Sequence, residues 1–229
     1  MKTIIVTGAS GNLGQSVVRK FINESCQVIG TVIPNDPAHM DYPAEQFEKV
    51  VVDLMNEEDA RKFTDSVVAK YGAIDVAVLT VGGFAMGNIA DTKTSDINHQ
   101  FKLNFETAYN VARPAFVQMM KQGSGRIFII GSKPGLDAKN GKGMVAYGLA
   151  KSLIFRLADL MNDEAKGINV VTSVVVPSTI DTPQNRQSMP EAKYENWVKA
   201  DQIADAIFFY SSSAAFAIRE PLIKLYNSA

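Results

Sequence analysis

One cysteine and two histidines in 229 residues leave little material for thiol or imidazole chemistry. Cys26 cannot form an internal disulfide, and its place beside an apolar run suits a buried small hydrophobe, in keeping with a reducing, cytoplasmic setting. Neither His39 nor His99 stands with Cys or acidic residues at ligand spacing, so no metal site and no histidine triad is expected, and each reads as a surface or packing residue. Charge of one sign is also lacking. With 23 Lys+Arg against 24 Asp+Glu and a pI near 6.1, there is no basic surplus for a phosphate backbone, so nucleic acid is not an expected partner. The apolar run at 4–6 is too short for a signal-peptide core, and no other run approaches bilayer length, so no membrane association is expected. What is plentiful is apolar content, 46% of the chain, which supports a sizeable core in a single domain.

Short β-branched runs alternate with helical patterns, at 3–7, 28–32, 49–52, 76–80, 126–130, 170–176 and 222–226. Seven strands spaced by helices imply a parallel sheet. Residues 57–71 set Ala60, Phe63, Val67 and Tyr71 on one stripe, an amphipathic helix laid on that sheet. Strands such as Val174-Val175-Val176 are apolar on both faces, which places the sheet between two helical layers. The expected fold is therefore α/β, a Rossmann-like doubly wound seven-stranded parallel sheet in one domain over 1–229. Ligands of such a sheet bind beyond the carboxyl ends of its strands. The long proline-bearing connection at 177–199 is a candidate substrate lid.

Two local patterns carry chemistry. Gly8, Gly11 and Gly14 follow the first strand at three-residue intervals and open a helix. Glycine there gives a tight turn, close approach to a diphosphate and packing of the helix on the strand. Tyr147 and Lys151 stand four apart on one helix face, so the ammonium can approach the phenol. A free tyrosine titrates near about 10, and a nearby cation favours the phenolate. Lys151 is thus expected to lower the Tyr147 pKa and make it an acid or base near neutrality.

Together with Asp53, Gly82-Gly83, Asn104 and Ser132, these residues resemble the short-chain dehydrogenase/reductase family along nearly the whole chain. The resemblance implies an NAD(P)-dependent enzyme that transfers a hydride between nicotinamide and a small carbonyl, alcohol or quinonoid heterocycle. By it Tyr147 gives or takes the proton, Lys151 tunes it and holds the nicotinamide ribose, Ser132 hydrogen-bonds the substrate oxygen, and Asn104 completes a proton relay. Asparagine is a poor helix former, and a functional water site would explain Asn104 in the helical stretch 97–120. The implied cofactor-binding residues are Gly8, Ser10, Gly11, Asn12, Leu13, Gly14, Asp53, Gly82, Gly83, Lys151, Pro177, Thr179 and Thr182. Asp53 would accept from the adenine amino group or cap a loop; Gly82 and Gly83 would admit the cofactor or serve as turn glycines. Ser132 lies fifteen residues before Tyr147, about two more than usual in the family, and the extra residues, at 139–143, are expected to bulge outward.

The segment Asp181-Thr182-Pro183-Gln184-Asn185-Arg186, followed by Trp197, is similar to the lid of dihydropteridine reductases, as is the run from Val81 to Asn88. The chain departs from that branch in having Phe84 where tryptophan is usual and Ser132 where alanine is usual. Phe84, Met189 and Trp197 are the implied substrate contacts, with Phe84 able to stack on a flat pterin-like ring. An alternative is a nucleotide-sensing protein of the same fold without turnover. Val32 stands where an NAD enzyme usually offers an acid, yet no Lys or Arg lies between Lys20 and Lys49 to meet a 2'-phosphate. Asn35 or Asp36 could turn back to the ribose, so NAD(H) is slightly favoured over NADP(H). A homodimer or homotetramer is expected by analogy, through the helices around Asn104 and Tyr147.

Overall fold

The computed structural model describes residues 1–228. Its elements run β1 (Thr3–Thr7), α1 (Asn12–Asn23), β2 (Gln27–Val32), β3 (Phe47–Val51), α2 (Glu57–Tyr71), β4 (Val76–Leu79), α3 (Thr94–Phe101), a π-helical turn (Lys102–Glu106) and α4 (Thr107–Gln122). They continue with β5 (Ser124–Ile130), α5 (Lys133–Leu136), α6 (Val145–Glu164), β6 (Asn169–Pro177), β7 (Ile180–Asp181), α7 (Pro183–Ser188), β8 (Val198–Lys199), α8 (Ala200–Ser211) and β9 (Leu222–Leu225).

Seven strands form one sheet in the order β3-β2-β1-β4-β5-β6-β9, every pair parallel. Parallel pairing forces each connection to cross over the sheet, and the crossovers cover both faces with helices. One core joins Ile5, Ile29, Ala77 and Ile127 to side chains of α2, α4 and α6; the other joins Ile4, Val28, Val78 and Phe128 to side chains of α1 and α8. Neighbouring residues of each central strand thus serve opposite cores, which is why runs such as Ile4-Ile5-Val6 and Val174-Val175-Val176 are apolar on both faces. Each fully buried side chain of this kind contributes roughly 1.5–3 kcal/mol relative to exposure. Strand order reverses at β1, whose neighbours are β2 and β4, so the loops leaving β1 and β4 diverge and open a crevice above it.

Local signals set the helix ends. The Asn56 side chain accepts from the Glu58 and Asp59 amides and starts α2, with Glu57, Glu58 and Asp59 in the first turn; Gly72, at φ 81°, ends it. The expected stripe is realised, with Ala60, Phe63 and Val67 buried and Tyr71 half-buried. Cys26 is buried, and His39 and His99 are exposed.

The fold differs from expectation at several strand ends and in two added features. The third strand begins earlier, at Phe47, whose ring packs against Gly30; a Cβ at Gly30 would lie 2.6 Å from the Ala9 Cβ and 2.8 Å from that ring. The helical stretch expected at 97–120 runs from Thr94 to Gln122 and contains the π-helical turn, which spacing alone does not announce. Finally, β7 and β8 form a separate parallel pair too short for any pattern to show.

Candidate active site

The turn after β1 is built for close approach. Gly8 takes φ 62°, and a Cβ on it would press on Thr80 and Val81 at 3.1 Å. The Gly11 amide donates to the Gly8 carbonyl at 3.0 Å and closes the turn. A Cβ on Gly14 would sit 2.1 Å from that same carbonyl, so only glycine lets α1 rest on the turn. No side chain caps the N-terminus of α1, whose first amides at Asn12, Leu13 and Gly14 carry the positive end of the helix dipole. This Cβ-free cradle with an uncapped helix start fits a diphosphate. The Leu13 side chain itself belongs to the core.

Ser10, on the outer side of the turn, donates its hydroxyl to the Asp36 carboxylate. Asp36 also accepts from the Ala38 amide at 2.8 Å. The Ser10 bond first and the Ala38 bond second hold its carboxyl below the usual range. The acid after β2 thus turns back to the glycine turn, while Asn35 takes the left-handed φ of 60° that allows it. Asp53 is exposed, with its carboxylate accepting from the Met55 amide at 3.0 Å, a local loop role.

Tyr147 lies in the first turn of α6, Ser132 caps α5 by accepting from the Gly135 amide at 3.2 Å, and Lys151 is buried one turn beyond Tyr147. The Lys151 ammonium donates to the Ile130 carbonyl at 2.8 Å, at the end of β5. Burial pushes the Lys151 pKa down to about 8. It also raises the Tyr147 phenol above its ordinary value, against a smaller downward pull from the Ser132 hydroxyl. The expected lowering of Tyr147 by Lys151 is therefore corrected. Desolvation penalises both charged forms, and the ammonium is directed to a backbone carbonyl.

Asn104 falls in the π-helical turn and is fully buried. Its Oδ1 accepts from the Gly83 amide at 3.1 Å, and its Nδ2 donates to the Gly83 carbonyl at 2.9 Å and to Gln100 Oε1 at 2.8 Å. The side chain thus fastens the loop after β4. A Cβ on Gly82 would lie 2.7 Å from Asn104 Oδ1 and 3.1 Å from Lys151 Nζ, so this glycine lets the loop lie against both groups.

The outer wall of the site is apolar and anchored. Phe84, largely exposed, stands edge-on to Tyr147 with centroids 5.2 Å apart. The same loop is pinned to the segment before α6 by the Gly87 amide, which donates to the Gly143 carbonyl at 2.8 Å, and by the Val145 amide, which donates to the Gly87 carbonyl at 3.0 Å. The residues at 139–143 therefore do not simply bulge outward. They make a 3-10 turn (Ala138–Asn140) and return to this bridge.

Pro177 ends β6 and is buried, and the Thr179 carbonyl accepts from the Val198 amide at 3.0 Å. The excursion from 182 to 197 is closed at its base by β7 and β8. Thr182 caps α7 by accepting from the Asn185 amide at 3.2 Å, and Arg186 grips Asp181 with two bonds, at 2.6 and 2.8 Å. Asn12 of the glycine turn donates to Gln184 of α7 at 2.8 Å, a contact between distant segments that the sequence did not signal. Met189 is exposed, but Trp197 is almost fully buried and its ring pairs with Tyr194 rather than with Phe84 or Tyr147. It anchors the base of the excursion. No cluster of three or more His, Cys, Asp or Glu that could hold a metal occurs among the described residues, and no described helix is long and apolar enough to cross a membrane.

The family model described as short chain dehydrogenase matches residues 2–193. The chain belongs to the short-chain dehydrogenase family. As a member it is an NAD(P)-dependent oxidoreductase acting on small molecules, in a family whose members are commonly oligomeric. This short-chain dehydrogenase is 26% identical over 216 residues to a dihydropteridine reductase of Dictyostelium discoideum, covering 93% of the chain and 89% of that protein. It is 30% identical over 189 residues to the cyclic-di-GMP-binding biofilm dispersal mediator protein of Escherichia coli, covering 82% and 77%. Its fold is shared with the ligand-free aldohexose dehydrogenase of Thermoplasma acidophilum, with a TM-score of 0.85 at 22% identity, covering 99% of this chain and 93% of that one.

Proposed function

We propose that this enzyme interconverts a small carbonyl and alcohol, or reduces a quinonoid pterin-like heterocycle, with Tyr147 as the acid or base. The observation that carries the reading is the grouping of Tyr147, Ser132 and the buried Lys151 at the carboxyl end of β5, in the same crevice as the glycine cradle. A bound nicotinamide would supply or accept the hydride. Tyr147 passes the matching proton to or from the substrate oxygen, or to a ring nitrogen of a quinonoid substrate, and Ser132 steadies that atom with a hydrogen bond. Lys151, with its pKa at about 8, carries a proton that it can exchange close to neutrality, and its ammonium would hold the nicotinamide ribose of a bound cofactor. Asn104 holds the Gly82–Gly83 loop beside it. Phe84 and Met189 offer apolar surface to a flat substrate, and the 182–197 excursion serves as the lid. The 26% identity to a dihydropteridine reductase supports the pterin-like class.

NAD(H) is the preferred cofactor in this reading. The ionised Asp36, tied to Ser10, can accept from ribose hydroxyls and would repel a 2'-phosphate. A second reading, nucleotide sensing without turnover, draws on the relative named for cyclic-di-GMP binding. Oxidation of NADH by the unaltered protein on addition of a carbonyl or a quinonoid dihydropterin separates the two. Tyr147→Phe should then lower kcat by roughly 100-fold or more with nearly unchanged NADH affinity. Retained turnover in that variant would overturn the assignment of Tyr147, and NADPH binding at least about tenfold tighter than NADH, a difference of about 1.4 kcal/mol, would overturn the cofactor preference.

A further inference from the structure

Gln100 occupies the last turn of α3 and is only 4% exposed, where burial ordinarily selects an apolar side chain. Residues four apart on a helix face one another, and four residues on stands Asn104. Gln100 Oε1 accepts one Nδ2 hydrogen of Asn104 at 2.8 Å; the Gly83 carbonyl accepts the other at 2.9 Å. With both hydrogens engaged, Asn104 Oδ1 is left facing the Gly83 amide at 3.1 Å. A reversed amide would set NH2 against the Gly83 N–H and oxygen against both carbonyl acceptors, so the Gln100 and Gly83 bonds together select one orientation.

We infer that Gln100 is a positioning residue for the reaction: through Asn104 it fixes the Gly82–Gly83 backbone that walls the Lys151 ammonium. The inference rests on the function proposed for this site. Gln100 acts at one remove. A Cβ on Gly82 would meet Asn104 Oδ1 at 2.7 Å and Lys151 Nζ at 3.1 Å, so the Gly82 backbone lies against both groups and its position depends on the Asn104 amide. Without an acceptor at 100, one buried Nδ2 hydrogen is left unpaired, and the two Gly83 bonds alone must hold the amide against that cost.

The test uses the full chain with two substitutions. Gln100→Met keeps the side-chain length without the amide oxygen, and Gln100→Glu keeps an acceptor. Hydrogen exchange of the Gly83 amide, followed by NMR, reports the Asn104 bond without depending on turnover. Gln100→Met should exchange Gly83 faster and lose about tenfold in kcat, the change expected from one unpaired buried donor, with KM little altered. Gln100→Glu should restore both. Unaltered Gly83 exchange in Gln100→Met, or faster exchange with kcat unchanged, overturns the inference. If Gln100→Met does not fold, Gln100→Glu decides alone: retained Gly83 protection and kcat support the inference, and loss of either overturns it. Failure of the proposed function is visible separately, as no turnover by the unaltered protein.

Discussion

Lys151 holds a charge where its surroundings disfavour one. Its pKa falls from the ordinary 10.5 to about 8 because the side chain is buried, with the Ile130 carbonyl as its hydrogen-bond acceptor. Between those two values the unfolded chain keeps a proton that the folded chain has lost. More protons on the unfolded state mean that folding stability rises with pH across this window, and the folded state bears the full penalty below it. The difference amounts to about 3 kcal/mol. Measured against Lys151→Met, in which other titrations cancel, the unaltered protein should gain up to that amount between pH 8 and pH 10.5. Urea unfolding of both proteins at several pH values checks this. A gap between them that stays constant would mean that burial does not perturb the lysine.

At the scale of elements, the contact between α1 and the turn beneath it decides whether a diphosphate can be held. Gly14→Ala would place a methyl 2.1 Å from the Gly8 carbonyl, within the backbone itself, and α1 must shift to admit it. Overpacking of this kind costs about 1–3 kcal/mol, so NADH affinity should fall roughly tenfold or more, with a lower melting temperature. Fluorescence titration and thermal unfolding together check it, and unchanged affinity would argue against the cradle. The glycines of this turn and the Tyr147–Lys151 spacing were legible in the sequence because their chemistry depends on near neighbours. Contacts between distant segments were not: nothing in the sequence brings Ser10 to Asp36, Asn12 to Gln184, or Trp197 into the base of the lid. Gln100 left only a faint signal, a polar residue one turn before Asn104 on a buried face.

For the whole molecule, α4 and α6 leave Tyr109, Val117, Leu149, Leu153 and Leu160 exposed, more apolar surface than two solvated helices need. The proposed homodimer or homotetramer covers this surface by pairing these helices with those of a second copy. Light scattering at micromolar concentration should give a multiple of 24.9 kDa, and the monomer mass would contradict the proposal. Between Val174 and Pro177, β6 pairs with β9, and Arg219 draws the two together through the Ile168 and Val170 carbonyls. During synthesis, the valine-rich β6 therefore waits with one side unpaired until residues 222–225 emerge, and in that interval it is a template for intermolecular strand addition. A chain stopped at Arg219 would make that interval permanent, and it should sediment as aggregate where the full chain stays in the supernatant.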